Sequence, residues 1–216
     1  MARIGIMGGT FNPIHNGHLH IADAAFREYA LDEIWFMPNH IPAYKSKAEM
    51  ISPEDRMHMV RLAIENKPGY ILNTMEIERG GKTYTADTLR ILHEQAPQNR
   101  YYFIIGADSL ETFPRWYHPQ EITKYAEILV AARADADEDA LQAMITHVEE
   151  ALQVQGRFHT IHRIESASAS QTAWIASSRI RQCISMGLDV EPVSGQDLTK
   201  LLPPSVYHFI KEHQLY

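Results

Sequence analysis

Arg3-Ile4-Gly5-Ile6-Met7-Gly8-Gly9-Thr10-Phe11-Asn12-Pro13-Ile14-His15-Asn16-Gly17-His18-Leu19-His20 is the stretch on which the reading of the fold turns. The apolar run Ile4 to Met7 has the length of a strand and stops at a glycine pair, and helical spacing begins at His18 and continues to Tyr29. That order predicts a strand, a loop that lets a ligand close to the backbone, and a helix N-terminus. Paired glycines place no Cβ between the loop N–H groups and anionic oxygens. The first turn of the helix adds unpaired N–H groups and the positive end of its dipole. His15 and His18 flank Gly17 at that point. Two imidazoles there can donate hydrogen bonds to a phosphate and can gain a proton near neutral pH. The parts suit a polyphosphate whose charge redistributes during reaction.

Outward from this unit, strand and helix patterns alternate. Glu33 to Met37 reads as a strand ending at Pro38, and Pro53 to Asn66 as an amphipathic helix with Ser52 as N-cap and Pro53 at its first position. Tyr70 to Asn73 suggests a strand and Thr85 to Gln95 a helix. Tyr101 to Ile105 is a continuous aromatic and β-branched run ending at Gly106, as expected of a strand buried on both faces, and Ile128 to Ala132 repeats the type. Thr160 to Glu165 reads as a further strand, Ser166 to Ala173 as a loop, Ser178 to Met186 as a helix, and Pro204 to about His213 as a closing helix. The fold class expected is α/β: a Rossmann-like, doubly wound, mostly parallel sheet with helices on both faces and a C-terminal helical segment. Ligands of such sheets bind beyond the carboxyl ends of the strands, so the loops after Met7, Met37, Ile105 and Ala132 should share one rim.

The 216 residues suffice for one full domain, with 45% hydrophobic and 22% charged residues, as in ordinary globular proteins. No internal repeat or long linker divides them, so 1–216 reads as one domain, with a helical insertion at 134–158 and a C-terminal part at 174–216. A net charge of −7 argues against general nucleic-acid binding but leaves room for a local basic pocket. Cys183 is the single cysteine, which rules out an intrachain disulfide and any Cys-rich zinc motif. The N-terminus runs straight into the first strand without a signal-peptide core, and no apolar run approaches the ~18 residues of a membrane span. A cytoplasmic location is the expectation.

Asp135, Asp137, Glu138 and Asp139 precede a helical stretch to about Val154 and read as an acidic helix start, favoured by the dipole, in preference to a metal cluster. Gly80-Gly81-Lys82-Thr83 imitates the tail of a P-loop, but Glu76 stands where that motif needs glycine, so a hairpin or surface turn is expected. No third ligand at recognisable spacing joins His15 and His18 to make a zinc site, and the glycines do not follow the dinucleotide fingerprint. Ile175-Ala176-Ser177-Ser178-Arg179-Ile180-Arg181 places tandem serines at a helix start, where they suit an N-cap or phosphate oxygens. Arg181 follows about one turn later, as a phosphate fork or a solvated arginine. Asp108, beside Gly106 at the rim, is a functional candidate. Arg133 after the next strand suits a substrate contact or a surface ion pair. His58, His93 and His162 read as surface or satisfied core residues.

Gly8-Gly9-Thr10-Phe11-Asn12-Pro13-Ile14-His15-Asn16-Gly17-His18-Leu19 together with Ser177-Ser178-Arg179-Ile180-Arg181 resembles the paired signatures of the nucleotidylyltransferase superfamily. Within it, the chain is similar over nearly its whole length to the bacterial nicotinate-nucleotide adenylyltransferases. Pro38 to Pro42, Tyr84 to Leu89, Phe103 to Ser109, Phe113 to Tyr117 and the ending Leu201 to Tyr216 all resemble that family's motifs. The resemblance implies that Gly8, Gly9, Thr10 and Phe11 approach ATP with their backbone. It implies phosphate contacts for His15 and His18, a triphosphate grip by Ser177, Ser178 and Arg181, and nucleotide binding by Gly106 and Asp108. Asn39, Lys45, Thr85, Trp116 and Tyr117 would line the mononucleotide side, with the Trp116 indole against the pyridine ring. Two positions depart from the family: Ala176 stands where a further serine is common, and Pro42-Ala43-Tyr44 precedes Lys45 in place of Pro-Pro-His.

The activity implied is adenylyl transfer from ATP to nicotinate mononucleotide, giving nicotinate adenine dinucleotide and pyrophosphate in NAD biosynthesis. The mononucleotide phosphate is already an anion, so no base is needed, and His15, His18 and Arg181 act by stabilising charge. Mg²⁺ is expected to arrive on the ATP phosphates and not in a protein cage. No nucleic acid or membrane is implied as a partner, and the resemblance leaves room for a homo-oligomer. Alternatives are an adenylyltransferase for nicotinamide mononucleotide or phosphopantetheine, or a nucleotide-binding sensor without catalysis.

Overall fold

Six parallel strands form the centre of the molecule in the order β4-β2-β1-β6-β7-β8. They are β1 (Arg3–Gly9), β2 (Glu33–Pro38), β4 (Tyr70–Leu72), β6 (Arg100–Gly106), β7 (Ala126–Ala131) and β8 (Phe158–Ile161). Two short segments, β3 (Ile41–Pro42) and β5 (Lys82–Thr83), pair in parallel beside the main sheet. This computed structural model describes residues 1–42, 50–132, 137–162, 176–192, 195 and 197–216. The sheet is wholly parallel among them, a stronger result than the mostly parallel sheet expected. Among the same residues no helix is long and apolar enough to cross a membrane.

Alternation along the strands divides the core in two. Ile4, Ile6, Phe103, Ile105, Ile128 and Val130 face one layer, and Met7, Ile34, Phe36, Ile104 and Leu129 the other. Helices α4 (Thr85–Gln95), α5 (Ala107–Leu110), α6 (Pro119–Tyr125) and α7 (Glu138–Leu152) contribute to the first layer. The second is covered by α1 (Asn16–Glu28), α2 (Pro53–Ile64), α8 (Ser177–Ser185), α9 (Leu198–Leu201) and α10 (Pro204–Glu212). A further short helix, α3 (Met75–Arg79), precedes β5. Burying both faces explains why β6 and β7 read as continuous apolar runs. Gly5 shows how tightly β1 is enclosed, since a Cβ there would stand 2.6 Å from Ile34 Cδ1 and 2.8 Å from Leu31 Cδ1.

The strand order reverses direction between β1 and β6, where the chain winds to one side through β2 and to the other through β7. A crevice opens at such a point beyond the strand ends, because the flanking connections leave on opposite faces. The Gly8–Gly9 and Gly106 ends of those strands meet there.

Several local readings need correction. The strand expected at Thr160 to Glu165 runs from Phe158, since Phe158 pairs with Ile128, to Ile161, and 163–165 lie outside the described residues. The Ser166 to Ala173 loop lies outside them too. Gly80 and Gly81 form a turn at positive φ (69° and 72°), but no hairpin follows, because Lys82–Thr83 pairs in parallel with Ile41–Pro42. The acidic run starts α7 as read: Asp137 Oδ1 accepts from the N–H groups of Asp139 (3.0 Å) and Ala140 (3.3 Å). Asp135 lies outside the described residues. The tandem serines are not the cap of α8; Ala176 holds that position, and Ser177 and Ser178 are the first two helical residues.

Candidate active site

A cavity of about 1140 Å³ opens at the β1/β6 crevice. Around it the fold gathers Gly8, Gly9, His15, His18, Asn39, Thr85, Gly106, Asp108, Trp116, Tyr117 and Ser177 from across the sequence. Among the described residues, Thr10, Phe11, Ser178 and Arg181 do not border it. Thr10 and Phe11 are buried behind the glycine pair, Ser178 is exposed on α8, and Arg181 lies further along that helix. Lys45 and Arg133 fall outside the described residues.

His15 is the N-cap of α1 and His18 its third residue, so one turn brings the rings together, tilted by 35°, with centroids 3.7 Å apart. The His15 backbone N–H donates to His18 Nδ1 at 3.2 Å. That bond requires Nδ1 to be unprotonated, which leaves the His18 proton on Nε2. Phe11 closes the other side of His18 edge-on, with centroids 5.1 Å apart. Burial brings His18 down to about 4. Burial, together with nearby His18 and His20, holds His15 well below the ordinary imidazole range. Both rings are therefore neutral at pH 7 without a ligand, in contrast to the easy protonation expected from the sequence. The pair offers N–H donors first and a cation only against an anionic ligand.

The loop beneath is tied from several directions. Arg181 Nη1 donates to the Asn12 carbonyl at 2.8 Å, and Tyr216 Oη to Asn12 Oδ1 at 2.8 Å. Ser177 Oγ donates to the Pro13 carbonyl at 2.9 Å, so this hydroxyl fastens α8 to the loop. The other arginine of the motif, Arg179, is engaged by the buried carboxylate of Glu191, with Nη2 at 2.6 Å from Oε1. Behind the loop Arg56 is 0% exposed; its Nη1 donates to the Thr10 carbonyl at 2.7 Å and its Nη2 to the His40 carbonyl at 3.2 Å. This guanidinium joins the loops that follow β1 and β2, and burial lowers its pKa.

On the other side, Asn39 N–H donates to the Gly9 carbonyl at 3.0 Å, while its Oδ1 is buried without a partner among the described residues. Trp116 stacks on Phe113 at 5.0 Å, and its Nε1 donates to Thr112 Oγ1 at 3.3 Å. Tyr117 packs against Tyr84 with centroids 4.4 Å apart. The aromatic wall is thus held from behind, with an apolar face available to a planar ring. Glu76 also lines the cavity, with 8% exposure.

Arg56, Tyr216 and Glu76 were not singled out from the sequence. Arg56 carried a readable signal: with Met59, Val60, Ala63 and Ile64 it occupies the buried stripe of α2, a charged residue where spacing demands an apolar one.

Among the described residues no group of three His, Cys, Asp or Glu side chains could hold a metal ion. The Asp108 carboxylate on the cavity wall would suit an ion that keeps water and phosphate ligands of its own.

The family model described as cytidylyltransferase-like matches residues 6–183. The "Probable nicotinate-nucleotide adenylyltransferase" of Lachnoclostridium phytofermentans is 37% identical over 216 residues, covering 100% of both chains. The chain belongs to the nicotinate-nucleotide adenylyltransferase family. Membership makes it a nucleotidyltransferase, and so an enzyme. A second family member, the nicotinate-nucleotide adenylyltransferase of Bacillus subtilis, is 42% identical over 133 residues, 62% of this chain and 70% of its own. The fold of the family is shared by the Plasmodium falciparum nicotinic acid mononucleotide adenylyltransferase complexed with NaAD. That structure matches with a TM-score of 0.78 at 19% identity, over 100% of this chain and 98% of that one.

Proposed function

We propose that this enzyme joins ATP and nicotinate mononucleotide into nicotinate adenine dinucleotide, releasing pyrophosphate. The observation that carries the proposal is the pairing of two unlike walls in one cavity. One is a glycine loop with two adjacent imidazoles at a helix N-terminus. The other is Trp116, Tyr117 and Thr85 opposite it.

The mononucleotide phosphate attacks the α-phosphorus of ATP in line, and pyrophosphate departs. The nucleophile is an anion at neutral pH, so the protein supplies no base and forms no covalent intermediate. Its task is to align two anions and to stabilise the charge that grows on the leaving group. His18 meets that charge as a neutral Nε2–H donor, and such donors stabilise charge most where closure over the substrates excludes water. His15 stands beside it. Arg181 and Ser177 hold the loop through Asn12 and Pro13, and Arg181 adds a positive charge to the triphosphate side. Gly8, Gly9, Gly106 and Asp108 receive the nucleotide. Asn39 faces the mononucleotide with an Oδ1 that awaits a donor. Mg²⁺ bound to the ATP phosphates would neutralise part of their charge.

Discrimination for nicotinate falls to backbone N–H groups near Thr85 and Tyr117, which donate to a ring carboxylate but would face the NH₂ of a carboxamide donor to donor. We assign residues 1–216 to one catalytic domain working in the cytoplasm. The test is product formation from ATP and Mg²⁺ with nicotinate mononucleotide, nicotinamide mononucleotide and phosphopantetheine in turn. Faster turnover of the nicotinate compound supports the proposal. Faster turnover of either other acceptor, or ATP binding without any product, refutes it.

A further inference from the structure

The steps above make no use of Glu76, a carboxyl nine-tenths buried on the cavity wall. Thr88 Oγ1 donates to its Oε1 at 2.6 Å, while the Thr83 hydroxyl donates to the Ile41 carbonyl at 3.4 Å. Arg79 Nη2 donates to Thr88 Oγ1 at 2.9 Å, which orients that hydroxyl toward Glu76. Thr83 ends β5 and Thr88 lies in the first turn of α4, so the two hydroxyls bracket Tyr84 and Thr85. These two bracketed residues line the cavity, and no side chain caps the helix they open. The N–H groups of that turn are therefore fixed in direction by what holds Thr88, whose Oγ1 also lies 3.2 Å from the Tyr84 carbonyl. A buried carboxyl is costly to keep and raises its own pKa, which is the case here. The Thr88 hydroxyl and the nearby Arg79 offset that cost while holding the first turn of α4.

We propose that Glu76 is a positioning residue for the pyridine end of the mononucleotide: by holding Thr88 it aims the Tyr84–Thr85 backbone amides so that they donate to a ring carboxylate and disfavour a carboxamide. The inference rests on the nicotinate reading. A turn released from Glu76 can rotate its amides away and accept the carboxamide oxygen alone, so selectivity falls more than affinity for ATP.

Steady-state kinetics of Glu76→Ala and Glu76→Gln, beside the wild type, on both pyridine mononucleotides test it. Glu76→Ala is expected to raise KM for nicotinate mononucleotide about tenfold and to reduce the nicotinate-over-nicotinamide ratio of kcat/KM about tenfold. KM for ATP should move less than about threefold, since no hydrogen bond to the phosphate loop is lost. Glu76→Gln keeps an acceptor for Thr88 and should recover most of the ratio. An unchanged ratio, or equal losses on both mononucleotides, overturns the proposal. If Glu76→Ala fails to fold, Thr88→Val removes the donor at similar volume, and an unchanged ratio there is equally decisive. A wild type that prefers the amide refutes the nicotinate reading instead, and is seen in the same assay before any variant is compared.

Discussion

His18 does two separable jobs, and removing them one at a time gives distinct outcomes. Its Nδ1 accepts the His15 N–H at 3.2 Å, a local bond at the start of α1, while Nε2–H is left for the substrate. In His18→Ala both are lost. Loss of one donor to developing charge lowers turnover by about 10²–10³-fold. Loss of the acceptor costs about 1 kcal/mol, as for a helix cap, which in a chain of this size lowers Tm by about 2–4 °C. In His18→Asn the amide oxygen can take the place of Nδ1, but nothing reaches the position of Nε2. Turnover should fall as far as in the alanine variant, and Tm should stay within about 1 °C of wild type. Pyrophosphate release under saturating substrates and a thermal melt on the same samples read both effects. Wild-type turnover in His18→Asn would refute the donor role, and equal Tm losses in both variants would refute the capping role.

Four further outcomes follow from the same structure. His18 has a folded pKa of about 4 against an ordinary 6.5, so between those values the unfolded chain binds more protons than the folded one. This contribution, about 3 kcal/mol, is complete above pH 6.5 and is lost as pH falls toward 4, with His15 acting in the same direction; denaturant melts at pH 7 and 5 should differ less in His18→Asn than in wild type. Arg181→Ala should raise KM for ATP and lower kcat by about 10²-fold together. Arg181→Lys should not restore either, since an ammonium lacks the fork that could hold the Asn12 carbonyl and leave a second N–H edge for a phosphate. Gly5→Ala forces a methyl to within 2.6 Å of Ile34 Cδ1 and should cost about 1–3 kcal/mol in a melt. Gly106→Ala, where a Cβ meets nothing within 4 Å, should leave Tm unchanged and alter nucleotide KM alone.

The sequence was most legible where a residue's neighbours in the chain are also its neighbours in space. The Ile4–Met7 strand, the histidine-bearing helix and the buried run Tyr101–Ile105 could be placed from spacing, and the rule of strand ends brought Gly8, Asn39, Gly106 and Asp108 to one rim. Thr85–Gln95 has the bounds its pattern gives. Short elements fared worse: α3, α5 and α6 are too brief to show a helical period, and the β3–β5 pair joins two dipeptides far apart in the chain. The charge state of the histidines was read wrongly because ionisation depends on burial, which the packing of Phe11 against His18 decides. Arg56 and Glu76 were missed for a related reason: a charged residue in a sequence implies solvent until the fold encloses it.

The account stands on direct transfer between two aligned anions, with His18 and Arg181 as charge stabilisers and no enzyme-bound adenylyl group. The stereochemistry at the α-phosphorus tests this most directly, using ATP made chiral by sulfur at that position and nicotinate mononucleotide as acceptor. One in-line displacement predicts inversion of configuration in the dinucleotide product. Retention would require two displacements through a covalent intermediate and would contradict the account.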